Sequence, residues 1–306
     1  MIQFLVKRFL WLIVTLLIVY TVSFFLMRSV PGGPFQGEKQ LPPTIQRNIE
    51  RRFELDKPLS YQYFSHLNKI VFQFDFGPSY RLKDYTVNEV IASGFPVSMS
   101  LGVFALSFAL VLGVSAGVVS AMYRHSVWDV TLMTVATLGI AVPNFVLASL
   151  CLIVFVFYLG ILPAAGWSSL ESVLLPAFCL GAPFAAYIAR LTRTGMLEIL
   201  NQDYIRTAYA KGLTTYSVVT KHALKMAIIP VVSYLGPATA GILTGSLVLE
   251  RIFAIPGMGT HFVEAALQRD YTLAMGMILV YTLILSVMNT LVDMAYAMLD
   301  PRVKLE

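Results

Sequence analysis

The sequence predicts an all-α polytopic membrane protein with six transmembrane helices. Three observations carry this reading. Charged residues make up 13% of the 306-residue chain and hydrophobic residues 57%, against roughly a quarter charged in a soluble domain. The apolar residues gather into six uncharged windows, and a helix needs about 20 apolar residues to cross the hydrocarbon core. Lysine and arginine concentrate in alternate connecting segments, the pattern that sets orientation.

The first window, Phe9 to Met27, has a basic start at Lys7 and Arg8, a long apolar core and no small-x-small site directly after it. It reads as a retained anchor over 1–29 rather than a cleaved signal peptide. The next windows run from Val97 to Met122, Val130 to Leu170, Ser172 to Ala189, Met226 to Leu249 and Tyr271 to Val292. The third is too long for one helix. Pro143-Asn144 and Pro163 punctuate it, which predicts an interfacial helix, a span of about 144–159 and an outer loop, with a seventh span open.

Six spans with an inside N-terminus place Lys7, Arg8, Arg124, Arg190, Arg193, Arg206, Lys211, Lys221, Lys225, Arg302 and Lys304 in short inner segments, and only Arg251 and Arg269 in short outer loops. The stretch from Arg28 to Gly94 holds nine basic and seven acidic residues. Long loops translocate largely regardless of charge, so both termini are expected inside. The residues over 30–95 predict a helical outer cap. Thr44 is positioned to cap a helix bearing Ile45, Ile49 and Phe53. Ser60 is positioned to cap another bearing Phe64, Leu67, Ile70, Val71 and Phe74, with Asp56-Lys57-Pro58 between them. The cap either stabilises the bundle or serves docking or gating. The core follows over 96–298, and a short tail over 299–306.

Between the fourth and fifth spans lies a loop of about 200–226, within the stretch YIRTAYAKGLTTYSVVTKHALKMAII that runs from Tyr204 to Ile229. Asp203 suits the start of a helix running to Lys211, with Gly212 as the left-handed residue that ends it. Thr214 or Thr215 suits the start of a second helix. The linker is short, so the two should meet at an angle and protrude. Arg206, Lys211, Lys221 and Lys225 ring an apolar face of Ala208, Tyr209, Leu213, Val218 and Val219. Such a loop is either positive-inside charge on an amphipathic connector or a knob offered to a cytoplasmic partner.

Arg206-Thr207-Ala208-Tyr209-Ala210-Lys211-Gly212, followed by His222-Ala223-Leu224, resembles the "EAA" loop of bacterial ABC importer permeases. Arg206 stands at the generic glutamate, Thr207 at the first alanine and Lys225 at the generic proline. These departures are those of the peptide and nickel branch, whose loops read RTARAKG. The resemblance extends through Gly236-Pro237, Gly245-Ser246, Glu250, Phe253, Pro256-Gly257-Met258-Gly259, Arg269-Asp270-Tyr271, Asn289, Asp293 and Asp300-Pro301-Arg302. Leu41-Pro42-Pro43, Asp75-Phe76-Gly77-Pro78-Ser79 and Lys83-Asp84-Tyr85 are similar to the first permease of oligopeptide systems.

The resemblance implies a type I ABC importer. Its partners would be a second homologous permease, two cytoplasmic ATPases and a periplasmic or lipid-anchored binding protein that delivers peptide. It implies ATPase coupling through Arg206, Ala208, Lys211, Gly212, Leu213, His222 and Leu224. It implies an outer mouth at Glu250, Pro256, Gly257 and Gly259. ATP and Mg would belong to the partner chains, since this chain has no G-x-x-x-x-G-K-[ST] loop. The alternatives kept open are dipeptides, glutathione, nickel chelates or antimicrobial peptides as cargo, and an ion-coupled secondary transporter as a different class.

Other features read more quietly. Asn289 and Asp293 lie one turn apart, and Arg190 or Arg193 is in position to pair with Asp293 as an inner latch or gate. Gly113–Gly117 and Gly241–Gly245 put small residues on one helix face for close packing. Cys151 and Cys179 sit in apolar runs and read as packing residues rather than a disulfide or metal site. The net charge of +5 reflects inner-face cations and membrane lipid rather than nucleic acid, because no basic patch is interleaved with aromatics.

Overall fold

The structure, a computed structural model, describes residues 2–30, 33–35 and 43–299. Four described helices are long and apolar enough to span a membrane: α1 (Ile2–Ser29), α4 (Val87–Met122), α7 (Leu170–Leu200) and α13 (Tyr271–Leu299). Two further pairs are bent. The first joins α5 (Val127–Ala141) to α6 (Asn144–Cys151), which continues in wide π-type turns to Tyr158, at 112°. The second joins the stretch Thr215–Ala227 to α11 (Ile229–Ile252) at 53°. Counting each pair as one span gives the expected six.

Pro143 causes the first bend. A proline disfavours the helical region for the residue before it, and Val142 is extended, at φ −85° and ψ 124°. The helix and the span at about 144–159 expected here form the two arms of this pair. At 1.5 Å per residue each 15-residue arm is about 22 Å long, short of the ~30 Å hydrocarbon core.

The chain folds as two compact units. One comprises 98–256 with residues 285–299. Its centre is α7, whose apolar window is 61% buried. The glycine pair on α4 meets it closely. A Cβ on Gly113 would lie 2.6 Å from the Ala185 carbonyl oxygen, and one on Gly117 2.6 Å from that of Ala189. The two backbones therefore touch, as the small-residue spacing predicts. The matching reading for Gly245 lies outside the residues whose side chains are described.

The other unit comprises 2–97 and 257–284. It contains α2 (Pro43–Arg52), α3 (Leu59–Asn68) and α12 (Met258–Gln268). Asp56-Lys57-Pro58 separates α2 from α3 as expected, but both starts differ from expectation. α2 begins at Pro43, so Thr44 sits within its first turn. Pro58, not Ser60, precedes α3. The packed face differs too. Leu67 and Ile70 pack with Tyr63 against Tyr20 and Phe24 of α1, whereas Phe64, Val71 and Phe74 are exposed. π turns over Lys69–Gln73 carry an extra residue per turn, which rotates the later positions off the face expected from 3.6-residue spacing.

Polar contacts tie α3 along α1. The Tyr20 hydroxyl donates to the Tyr63 carbonyl at 2.9 Å, and Arg28 Nε donates to Gln62 Oε1 at 3.1 Å. His66 Nε2 lies 3.2 Å from the Phe76 carbonyl oxygen. A carbonyl only accepts, so Nε2 carries the proton and Nδ1 faces the Tyr20 hydroxyl at 3.3 Å. Burial holds the His66 pKa below its ordinary value and pushes the Tyr80 phenol up to about 12.

Asp270 clasps the same unit. Its carboxylate accepts from the Ser79 hydroxyl, from the Arg81 backbone N–H at 3.2 Å and from the Leu273 N–H at 3.2 Å. The Arg81 side chain donates to the Gln268 carbonyl at 2.8 Å. The start of α13 is thereby capped and fastened to the loop before α4.

Candidate functional site

The loop between α7 and α11 is built from α8 (Asp203–Ala210), a four-residue connection, α9 (Thr215–Ser217), π turns over Val218–Ala223 and α10 (Leu224–Ala227). Gln202 rather than Asp203 occupies the position before α8, with no side-chain cap, and Asp203 is the first helical residue. An acid there still suits the positive end of the helix dipole. At the other end Gly212 has φ +79°. Its N–H donates to the Tyr209 carbonyl at 2.9 Å, and the Leu213 N–H to the Ala208 carbonyl at 3.3 Å. Those two bonds form a Schellman motif, which needs the left-handed residue that glycine adopts without strain. Thr214 then starts the next helix, its hydroxyl accepting from the Ser217 N–H at 3.4 Å.

The loop is seated on the bundle by its apolar side. Ile205, Ala208, Val218, Val219 and Ala223 pack with Ala121 of α4 and Met196 of α7, and Leu224 lies against them. Ala208, Val218 and Val219 point into the protein, and Leu224 is half-buried. Arg206, Tyr209, Lys211, Gly212, Leu213, Lys221, His222 and Lys225 remain on the surface, joined by Tyr204 and Tyr216. Tyr216 is 78% exposed and was not singled out by the sequence. A tyrosine beside a basic ring was the available signal. The Arg206–Asp203 ion pair at 3.6 Å is fully at the surface and adds little stability.

A second feature lies between α4, α5 and α7. Arg190 or Arg193 was expected to pair with Asp293, and Arg193 is engaged elsewhere. It forks onto Asp129 at the start of α5, Nε to Oδ1 at 2.7 Å and Nη2 to Oδ2 at 2.9 Å. Asp129 also accepts from the Ser120 hydroxyl at 2.5 Å and from the His125 N–H at 2.9 Å. It is buried, while its guanidinium partner is 26% exposed. One carboxylate thus fixes the ends of three helices. Sequence reading passed over Asp129 because a charge ends an apolar window. The signal was Ser126-x-x-Asp129, a capping pattern. Arg190 lines the open groove beside this cluster with His125.

The remaining candidates are not gathered into either feature. Asn289 lies against α11, its Oδ1 3.3 Å from where a Cβ on Gly236 would stand. Asp293 is half-buried on α13. Glu250, expected at an outer mouth, is fully buried and accepts from the Ser98 hydroxyl at 2.7 Å. Pro256 is exposed. Gly257 precedes α12 as its cap residue, and Gly259 is buried in that helix's first turn.

Apolar helices long enough to cross a membrane, with a charged loop seated on the ends of two of them, define an integral membrane protein. Residues 109–305 match the binding-protein-dependent transport system inner membrane components, and residues 1–102 match the N-terminal segment of such membrane components; the chain belongs to that family. It is 45% identical over 306 residues to the oligopeptide transport system permease protein OppB of Haemophilus influenzae, covering 99% of this chain and 100% of that one. It is 46% identical over 305 residues to the dipeptide transport system permease protein DppB of Bacillus subtilis, covering 100% of this chain and 99% of that one. A chain of the MetNI methionine ABC transporter, solved in inward-facing conformations, shares the fold at a TM-score of 0.58 and 15% identity, over 69% of this chain and 97% of the other.

Proposed function

We propose that this chain is the membrane-spanning subunit of an ATP-driven importer that carries oligopeptides inward across the cytoplasmic membrane. It works with a second homologous permease, two ATPases that hold ATP and Mg, and a peptide-binding protein on the far side. The observation that carries the reading is the loop's construction. Its apolar face is locked onto the ends of α4 and α7, so a push on its basic and tyrosine surface moves those helices rather than bending the loop. ATPase closure would then become a rigid-body swing of the spans. The Asp129–Arg193 fork holds α5 to α7 during such a swing. Dipeptides are the second reading of the cargo, favoured by the similarity to a dipeptide permease.

Gly212→Val tests the coupling. Nothing lies within 4 Å of a Cβ placed there, so the cost is backbone strain alone, about 1–2 kcal/mol. The subunit should insert and accumulate. In reconstituted membranes, loaded binding protein should no longer stimulate ATP hydrolysis, and peptide uptake should collapse. Normal stimulation would reduce the loop to a connector. Orientation has its own test. With Cys151 and Cys179 both buried, cysteine at Tyr216 should resist a membrane-impermeant thiol reagent in intact cells, and cysteine at Arg47 should react.

A further inference from the structure

A small cavity of about 160 Å³ opens beside the last turn of α1. Two hydrogen-bond donors on its lining have no acceptor. One is Arg28 Nη1 and the other the Tyr271 hydroxyl, and both atoms are shut off from solvent. Tyr271 is only 7% exposed as a residue. Several other polar groups around the cavity are already engaged. Gln62 accepts from Arg28 Nε and donates to the Leu55 and Lys57 carbonyls. His66 Nε2 donates to the Phe76 carbonyl. The Thr272 hydroxyl donates to the Pro78 carbonyl at 2.7 Å. Lys69 and Glu54 at the rim lie 3.8 Å apart and offset each other.

The charge balance of the cavity is therefore one guanidinium. That guanidinium stacks on the Phe24 ring at 3.6 Å, and among the described residues no carboxylate pairs with it. Buried donors in proteins nearly always have an acceptor, and a partly desolvated cation beside an unpaired hydroxyl favours an acceptor that carries negative charge. We infer that this cavity is a binding site for a small oxyanion, a phosphate or carboxylate group held between Arg28 Nη1 and the Tyr271 hydroxyl. Arg28 stands at the end of the apolar helix Gln3–Ser29, the height at which phospholipid phosphates lie, so the group has two possible sources: a lipid headgroup or a soluble anion.

The test uses the purified full-length chain in a neutral detergent and reads the thermal unfolding midpoint. Inorganic phosphate, acetate, and phosphatidylglycerol against phosphatidylcholine are titrated separately. A saturable rise with phosphate or acetate assigns a soluble anion. A rise with phosphatidylglycerol alone assigns the lipid. Tyr271→Phe removes only the unpaired hydroxyl, so the ligand-free variant should melt at or above the wild-type temperature. Its apparent affinity for the active probe should drop about tenfold or more, the size of a lost hydrogen bond to a charged group. Arg28→Gln should abolish the response. If no probe gives a saturable rise, or Tyr271→Phe responds like wild type, the cavity holds only water and the inference is overturned.

Discussion

The loop from Asp203 to Ala227 and the segment from Pro43 to Gln73 are made of similar parts, yet they sort their residues in opposite directions. Both join short helices to π turns. The loop hides its apolar side and shows cations and tyrosines. The segment hides the polar side of α3, where Gln62 and His66 meet Arg28 and Tyr20 of α1, and shows Phe64, Val71, Phe72 and Phe74. On α1, against which α3 packs, Ile18, Val22 and Phe25 are exposed as well. A surface rich in large apolar groups beside a membrane-crossing helix suits hydrocarbon, and a basic surface suits water and protein. The contrast teaches that "exposed" has two meanings in this molecule, set by which solvent each face meets.

The largest expected effect lies at the seat of the loop. Asp129→Asn leaves Arg193 without its counterion and should cost about 3–5 kcal/mol, as for other broken buried pairs. Adding Arg193→Met should recover much of that loss, measured by denaturant unfolding in detergent. A cost under ~1 kcal/mol would show a water-exposed pair and remove its hold on α5. Next comes a pair of substitutions within the loop. Ile205→Ala opens a void under α8 and should cost about 2–4 kcal/mol. Tyr216→Ala should change stability by less than about 0.5 kcal/mol while weakening ATPase stimulation. Equal stability costs would mean that the loop has no inside and outside.

A smaller, spectroscopic effect tests the two solvents directly. In a chain whose three tryptophans are replaced by phenylalanine, Phe72→Trp should be quenched by brominated lipid and Tyr216→Trp by aqueous iodide. Iodide quenching of both would place the two segments in the same solvent.

The smallest effect concerns His66. Its folded pKa is depressed by burial, so the unfolded segment binds a proton more readily than the folded one. Stability is therefore complete above the ordinary histidine value of about 6.5 and falls as pH drops through it toward the folded value. Hydrogen exchange of α3 amides, corrected for intrinsic rates, should show less protection at pH 5.5 than at pH 7.5. His66→Gln should remove that difference.

Features that depend on neighbouring residues were legible in the sequence. Gly212 ends α8, Thr214 starts α9, Pro143 breaks the third window, and the glycines of α4 meet a helix. Each follows from local backbone chemistry or a helical repeat. Contacts across long separations were not legible. Ser79 and Asp270 are 191 residues apart, and Arg193 finds an acid 64 residues away rather than the one that shares its charge level near the chain's end. The direction of a short helix was also hidden. Eight residues of α8 define an apolar stripe, but only the ends of α4 and α7 decide that Ala208 faces inward. Beyond α3 the π turns over Lys69–Gln73 defeated the repeat itself and left Val71 exposed.

The bend at Val142–Pro143 has a consequence for biosynthesis. Neither arm of the α5–α6 pair is long enough to settle across a bilayer alone, and both arms rest on α7, which begins at Leu170. The insertion machinery must therefore hold residues 127–158 until the next span emerges. A ribosome stalled before that point would leave a hairpin with no partner, a ready substrate for membrane quality control.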